Sequence, residues 1–191
     1  MGQMTCPALL AFVGLHVALV LCAVALSTNV WMEGNLPDNK NISSNATHAD
    51  YTVGLWEFCF NETCTETTHG QQESWYKNTR ILETVTLAAI VVGLVLLYGF
   101  LLCKSCEDSS GILGAIVLCN LCAVGTSISA VALFGKHTSS GIYLIPTAYA
   151  TELGWSFYVA SVSAGVLVIS CLCTIRMMCL ARSRSLPYEN I

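Results

Sequence analysis

The sequence predicts a membrane protein: an all-α bundle of four transmembrane helices that carries a small extracellular antiparallel β-sheet. Three observations predict this fold class. The 191-residue chain is 54% hydrophobic and only 10% charged, whereas soluble domains carry about 25% charged residues. The few charges are clustered, so four runs of about 20 residues or more are nearly free of them, long enough to cross a hydrocarbon core of about 30 Å. The segment between the first two runs combines two cysteines with glycosylation sequons.

The four apolar runs divide one domain, residues 1–191, into spans and connections. Each run must be helical, because every backbone N–H and C=O group in lipid needs a partner within its own segment. The first run has no preceding lysine or arginine and exceeds the apolar core of a signal peptide, which favours a retained helix. The predicted order is TM1 7–30, a first extracellular loop with the β-sheet 31–80, TM2 81–102, a cytosolic turn 103–110, TM3 111–134, a second extracellular loop 135–154, TM4 155–175 and a cytosolic tail 176–191.

Three N-glycosylation sequons in the first loop predict the orientation of the chain. They begin at Asn41, Asn45 and Asn61. Glycans mark a surface on the non-cytosolic side, so this loop is predicted to face outward. The even number of spans then places both termini in the cytosol. Aromatic residues at the predicted outer helix ends are expected to form an interfacial belt: Trp31, Trp75, Tyr76, Phe134, Trp155 and Tyr158.

Topology selects one disulfide from eleven cysteines. Five lie in predicted spans, where cysteine behaves as a small hydrophobic residue: Cys22, Cys119, Cys122, Cys171 and Cys173. Four lie at the cytosolic edge, in a reducing compartment: Cys6, Cys103, Cys106 and Cys179. Only Cys59 and Cys64 face the oxidising side, so they are predicted to pair. The bridge would join the predicted strand "TVGLWEFCFN" to "TCTETT", with Asn61 at the exposed tip of the hairpin.

Motifs at the span boundaries resemble those of a known family. Trp31 at the end of TM1 is followed by "GLW" and then by two cysteines, "SWYKNTRIL" enters TM2, and "GWSFYVA" enters TM4. These motifs resemble the claudin superfamily, which includes the claudins, peripheral myelin protein, the epithelial membrane proteins and the lens fibre membrane intrinsic protein. The spacing of the cysteines is closer to the lens member, which argues against a claudin-type paracellular pore. The end of TM1, "ALSTNVWME", and the tail are similar to the natural killer cell granule protein.

The resemblance implies a set of residues that join the sheet to the helices. Gly54, Leu55 and Trp56 would dock the sheet into the outer end of the bundle. Arg80 would lie at the same boundary, at the start of TM2, and Trp31 completes the family motif at the end of TM1.

Polar side chains within the spans have two interpretations. His16 and Asn120 lie at similar depths in TM1 and TM3. They are expected to have separate partners, with a shared hydrogen bond or a proton relay as the alternative. Small residues at four-residue spacing permit close helix approach, either within the bundle or between copies: Gly125 with Ser129, Ala160 with Ala164, and Ser161 with Gly165.

Three predictions concern the cytosolic side. Cys103, Cys106 and Cys179 are candidate S-palmitoylation sites, while the "CKSC" motif has too few neighbouring ligands for zinc. The tail ends in "YENI", in which Tyr188 and Ile191 have the spacing of an adaptor-read sorting signal. The same end also suits capture by a PDZ domain, and a solvated stub is the remaining interpretation.

The sequence predicts no catalysis, because it contains no nucleophile–base set, metal cluster, phosphate loop or basic nucleic-acid patch. Its four histidines are scattered. We therefore expect no enzyme activity, no cofactor and no nucleic-acid partner. The acidic first loop is interpreted as a soluble, glycosylated face in preference to a cation-attracting surface.

The favoured function is that of a non-enzymatic tetraspan protein in cell–cell contact, junctions or membrane organisation. It would act in the lipid bilayer through its extracellular sheet and through lateral oligomerisation with itself or related tetraspan proteins. The expected location is the plasma membrane or cell junction, with cycling to endolysosomal or granule membranes. One alternative is a regulator of trafficking or exocytosis at cytotoxic-granule membranes, and another is an auxiliary ion-channel subunit.

Overall fold

Four long helices and one five-stranded sheet make up the fold of the described residues. The computed structural model describes residues 6–36, 49–60, 63–66, 74–102, 110–139 and 150–185. Each helix is long and apolar enough to cross a membrane, and all strand pairs are antiparallel. The predicted fold class is confirmed. The elements in chain order are α1 (Cys6–Ser27), β1 (Met32–Leu36), β2 (Ala49–Val53), β3 (Glu57–Phe60), β4 (Thr63–Glu66), α2 (Ser74–Leu102), α3 (Ser110–Ser139), β5 (Ala150–Leu153) and α4 (Trp155–Ser185).

Three of the helices are longer than the spans predicted from charge. Helix α2 begins at Ser74, α3 continues to Ser139, and α4 continues to Ser185. At 1.5 Å per residue, the 31 residues of α4 extend over about 46 Å, which exceeds the hydrocarbon core of about 30 Å. A span predicted from charge ends where charged residues begin. The helix itself continues past that point, because its backbone hydrogen bonds are local.

Each helix packs against two neighbours, so that α1 and α3 both contact α2 and α4. The buried side of α1 follows alternating steps of three and four residues, a heptad-like pattern typical of left-handed helix packing: Ala8, Ala11, Leu15, Ala18, Cys22 and Ala25. Four alanines on this face allow the neighbouring helices to approach closely. Larger side chains fill the middle of the bundle, among them Leu15, Ile90, Leu97, Ile116 and Leu167.

The sheet has the strand order β4-β3-β2-β1-β5. The prediction of a single strand over "TVGLWEFCFN" is wrong, because β2 ends at Val53 and β3 begins at Glu57. Gly54 and the two residues after it form the connection, and the Gly54 N–H donates to the Glu57 carbonyl at 2.9 Å. The fifth strand, β5, comes from the predicted second loop and pairs with β1. The sheet therefore uses both loops, whereas the sequence placed it in the first loop alone.

Candidate functional site

The candidate site is the buried contact between the sheet and one end of the helix bundle, which we call the seam. Its core consists of buried side chains from the first loop, α2 and α3: Trp31, Leu55, Trp75, Tyr76 and Phe134. The Phe134 ring lies 5.1 Å from the Trp31 ring and 5.8 Å from the Trp75 ring, both edge-on. Edge-to-face pairs add about 0.5–1.5 kcal/mol to the free energy of burial. The seam therefore holds the sheet on the bundle by close aromatic packing.

The seam changes the interpretation of the predicted aromatic belt. Four of its six members are inside the protein: Trp31, Trp75, Tyr76 and Phe134. Trp155 and Tyr158 are 48% and 58% exposed, as expected for rings at a membrane interface. The belt prediction is wrong for the four buried residues because the sheet covers the helix ends that the sequence placed in contact with lipid head groups.

Backbone hydrogen bonds tie the segment after α1 to both loops. The Trp31 N–H donates to the Val53 carbonyl at 2.9 Å, and the Trp31 carbonyl accepts from the Gly154 N–H at 3.0 Å. The Trp31 indole N–H also donates to the Ala25 carbonyl of α1 at 2.7 Å. Trp31 thus connects the last turn of α1 to β2 and to the entry of α4. The same junction is closed by a 2.7 Å hydrogen bond from the Thr28 hydroxyl to the Ser156 hydroxyl.

Gly54 lies against the backbone of the segment that follows α1. The Tyr76 hydroxyl of α2 donates a hydrogen bond to the Gly54 carbonyl. A Cβ atom at Gly54 would overlap the Asn29 backbone and would lie 2.9 Å from the Thr28 carbonyl oxygen. Only glycine fits this contact, since the obstructing atoms belong to the main chain.

Leu55, Trp56 and Arg80 occupy different depths of the seam. Leu55 is fully buried. Trp56 is 42% exposed, but its indole N–H donates to the Leu26 carbonyl at 2.9 Å. The Arg80 guanidinium carbon lies 4.6 Å from the centre of the Trp56 ring, a cation–π distance. The structure therefore brings together the residues that the family resemblance implied, with Trp56 and Arg80 at the rim.

The predicted disulfide between Cys59 and Cys64 is confirmed. The two residues lie directly opposite each other on β3 and β4. The Asn29 side-chain N–H donates to Cys59 Sγ at 2.9 Å, so the bridge also contacts the end of α1. Closing a loop of this size stabilises the fold by about 2 kcal/mol in the chain-entropy model. Glu57 lies within 4.8 Å of both sulfur atoms, but sulfurs in a disulfide are not the thiolates that a metal requires.

Acidic side chains face each other across two strand pairs of the sheet. Glu33 on β1 is opposite Glu152 on β5, and Glu57 on β3 is opposite Glu66 on β4. All four are exposed. Like charges in directly opposite positions destabilise a sheet. We call these four residues the acidic face.

The polar side chains within the spans have separate partners, in agreement with the favoured interpretation. His16 contacts the Phe12 carbonyl at 2.8 Å through Nδ1 and the Tyr98 hydroxyl at 2.9 Å through Nε2. The Asn120 side-chain N–H donates to the Thr174 hydroxyl at 3.0 Å. A shared bond between His16 and Asn120 is therefore excluded in this structure.

The small-residue pairs differ in exposure. Ala160 and Ala164 are buried within the bundle. Gly125, Ser129 and Gly165 are exposed, and a Cβ atom at Gly125 or Gly165 would meet nothing within 4 Å. The exposed residues therefore lie on open helix faces.

Several predicted positions lie outside the described residues: Asn41, Asn45, Asn61, Cys103, Cys106, Tyr188 and Ile191. Cys179 is described and is exposed on α4. Sequence reasoning missed the burial of Glu83 in α2. The position of Glu83 in the sequence could have indicated its burial, because the buried positions of this helix recur every three or four residues: Tyr76, Thr79, Glu83, Thr86 and Ile90.

A protein-family model matches most of the chain. The model of the PMP-22/EMP/MP20/Claudin family matches residues 5–175, which include the seam, the disulfide and all five strands. No curated protein matches the chain significantly. The family match does not separate individual members, so the similarity to the natural killer cell granule protein stays a prediction. The chain is an integral, multi-pass membrane protein that belongs to the PMP-22/EMP/MP20/Claudin family.

Proposed function

We propose that the protein acts without catalysis at contacts between membranes, with its sheet outside the cell and both termini in the cytosol. The observation that carries this proposal is the acidic face on a sheet fixed to the helix bundle. Glu33 opposite Glu152 and Glu57 opposite Glu66 bring like charges together, at a cost in stability. Such a local conflict is expected at a functional surface.

The seam supports this role by holding the acidic face in one orientation. A surface that contacts an opposing membrane must keep its position when mechanical force acts on the contact. Aromatic packing, the hydrogen bonds of Trp31 and the disulfide all oppose such displacement. The partner that fits the acidic face is a basic protein surface on the opposing membrane, since complementary charge steers association and selects partners.

The first prediction tests this contact role. In cultured cells that express the tagged protein, we expect enrichment at cell–cell contacts, where a neighbouring cell can present the basic partner surface. Replacing Glu33 and Glu57 with glutamine should reduce this enrichment while leaving the seam intact. Quantitative imaging of mixed expressing and non-expressing cells provides the measurement. The variant Glu83→Gln is unsuitable as a control, because Glu83 is buried. A uniform distribution of the wild-type protein over the cell surface would contradict the proposal. Equal enrichment of the wild-type protein and the glutamine variant at contacts would contradict it as well.

Lateral self-association is the second part of the proposed function. The open face of α3 that contains Gly125 and Ser129 is exposed along its length. Small residues at four-residue spacing allow two helices in a membrane to pack closely. We infer that copies of the protein associate through this face.

The second prediction is that Gly125→Leu weakens self-association. The new side chain has space in the monomer, so it should block a neighbouring helix without unfolding the bundle. Energy transfer between donor- and acceptor-labelled copies in vesicles measures the effect. Gly99→Leu on α2, where a Cβ atom also meets nothing within 4 Å, is the matched control. Equal energy transfer in wild type and both variants would exclude this face.

A trafficking role is the second candidate, favoured by the tail sequence "YENI". The third prediction is that Tyr188→Ala raises the amount of protein at the cell surface, because an adaptor pocket would lose its aromatic anchor. Surface biotinylation gives the measurement, and Ser183→Ala near the end of α4 is the control. An unchanged distribution removes the sorting role.

Vesicular location in native cells would favour trafficking over contact, and co-purification of channel subunits would favour an auxiliary channel role.

A further inference from the structure

Among the described residues, one carboxyl group lies inside the membrane-spanning bundle. Glu83 on α2 is 1% exposed. Its Oε2 atom accepts a hydrogen bond from the Cys22 thiol of α1 at 3.6 Å. Its Oε1 atom is buried and has no hydrogen-bond partner among the described residues. Cys22 lies five residues before the end of α1 at Ser27, which places the pair about 8 Å into the bundle from the seam.

The hydroxyl groups on the same face of α2 are already engaged with backbone. Thr79, one turn nearer the seam, donates to the Trp75 carbonyl at 3.0 Å. Thr86, one turn further in, donates to the Leu82 carbonyl at 2.9 Å and contacts the Thr126 hydroxyl at 2.7 Å. Among the described residues, these contacts leave the carboxyl group with a single, weak donor, the thiol of Cys22.

Among the described residues, the other charged and titratable groups near this end of the bundle contact aromatic rings or are exposed. Arg80, one turn nearer the seam on α2, lies over the rings of Trp56 and Tyr76 at 4.6 and 5.6 Å. On α3, His137 stacks on the Trp75 ring at 4.9 Å, next to the exposed Lys136. On α4, the part that faces this end begins with Trp155 and Ser156 and has no titratable group before Tyr158, which is exposed.

An ionised carboxylate in this position would lack compensation. Removing a charge from water into a low-dielectric interior costs several kcal/mol unless an opposite charge or several hydrogen bonds replace the water. A Ca²⁺ ion would require six to eight oxygen ligands, whereas among the described residues the hydrogen-bonded site consists of the Glu83 carboxylate and one thiol. A proton needs no further ligand, because it is held by the carboxyl group alone.

We propose that Glu83 is a proton-binding site inside the bundle, kept as the neutral acid beneath the seam. The Cys22 thiol donates to Oε2, and Oε1 carries the proton. This site is independent of the proposed contact function, because it depends only on the geometry of α1 and α2. Ionisable groups within membrane-spanning helices commonly form proton sites in other membrane proteins.

Infrared spectroscopy of the full-length protein in lipid nanodiscs at neutral pH tests the proposal. A neutral carboxylic acid has a carbonyl stretch at higher frequency than the amide band, whereas a carboxylate absorbs below it. Solvated carboxyl groups are ionised at neutral pH, so the exposed glutamates of the sheet should not contribute. We expect one acid band, and we expect Glu83→Gln to abolish it.

Cys22→Ala assigns the band independently, even if Glu83→Gln fails to fold. Loss of the thiol donor to Oε2 should shift the acid carbonyl stretch to higher frequency without removing it. Cys119→Ala on α3 is the matched control and should leave the frequency unchanged. Absence of an acid band in the folded wild-type protein would overturn the proposal, as would a band that is unaffected by both Glu83→Gln and Cys22→Ala.

Discussion

Replacing Trp31 with alanine is expected to lower the free energy of unfolding by about 3–5 kcal/mol, the usual cost of truncating a buried aromatic residue. The substitution removes the ring contacts with Phe134 and Phe157. It also leaves the Ala25 carbonyl without its indole donor. Since stability margins are about 5–15 kcal/mol, we expect retention of the variant inside the cell. Thermal or denaturant unfolding in bicelles gives the free energy, and surface biotinylation gives the retention.

Trp155→Ala provides the matched control for this prediction. It removes the same side chain from a position that is 48% exposed, next to the same helix entry. We expect a much smaller effect on the unfolding free energy, because an exposed ring loses little burial on truncation. Equal losses in the two variants would show that the seam does not depend on the packing of Trp31.

Gly54→Ala is expected to separate the sheet from the end of α1. Its new methyl group would overlap the Asn29 backbone, and main-chain atoms cannot move aside as a flexible side chain can. Overpacking costs about 1–3 kcal/mol, occasionally more, and this contact should reach the upper part of that range. The shift should also weaken the hydrogen bond from Tyr76 to the Gly54 carbonyl. Amide hydrogen exchange of β2 and β3 should therefore accelerate, which mass spectrometry of the purified protein measures.

Gly114→Ala tests whether the effect is specific to Gly54. A Cβ atom at Gly114 meets nothing within 4 Å, and alanine favours a helix over glycine by about 1 kcal/mol. We therefore expect unchanged or slower exchange in this variant. Unaltered exchange of β2 and β3 in Gly54→Ala would contradict the close contact at the seam.

The sequence predicts the spans because backbone hydrogen bonding in lipid is satisfied locally. It predicts the disulfide because disulfides form only in an oxidising compartment. A long apolar run in lipid must form a helix, since the backbone must satisfy its own hydrogen bonds. Cys59 and Cys64 were identified because only they lie on the predicted oxidising side, and the structure joins them. The family resemblance then identified Gly54, Leu55 and Arg80, which the structure places at the seam.

The extent of the sheet was not predictable from local patterns. β5 is four residues long, and its pairing with β1 joins segments more than 100 residues apart. The sequence predicts strand for the connection between β2 and β3, because its residues are apolar and aromatic. In the structure those residues turn into the seam, where Leu55 is buried among helix residues.

Composition and the placement of cysteines by themselves determined a four-span membrane protein with one stapled polar loop, because hydrocarbon leaves the backbone no other way to satisfy its hydrogen bonds. The tertiary structure alone decided which side chains of one chemical type are inside. Trp31 is buried while Trp155 is exposed, and Glu83 is enclosed while Glu33 is in contact with solvent. Those outcomes depend on a sheet assembled from two distant loops, so no window of sequence contains the atoms that decide them.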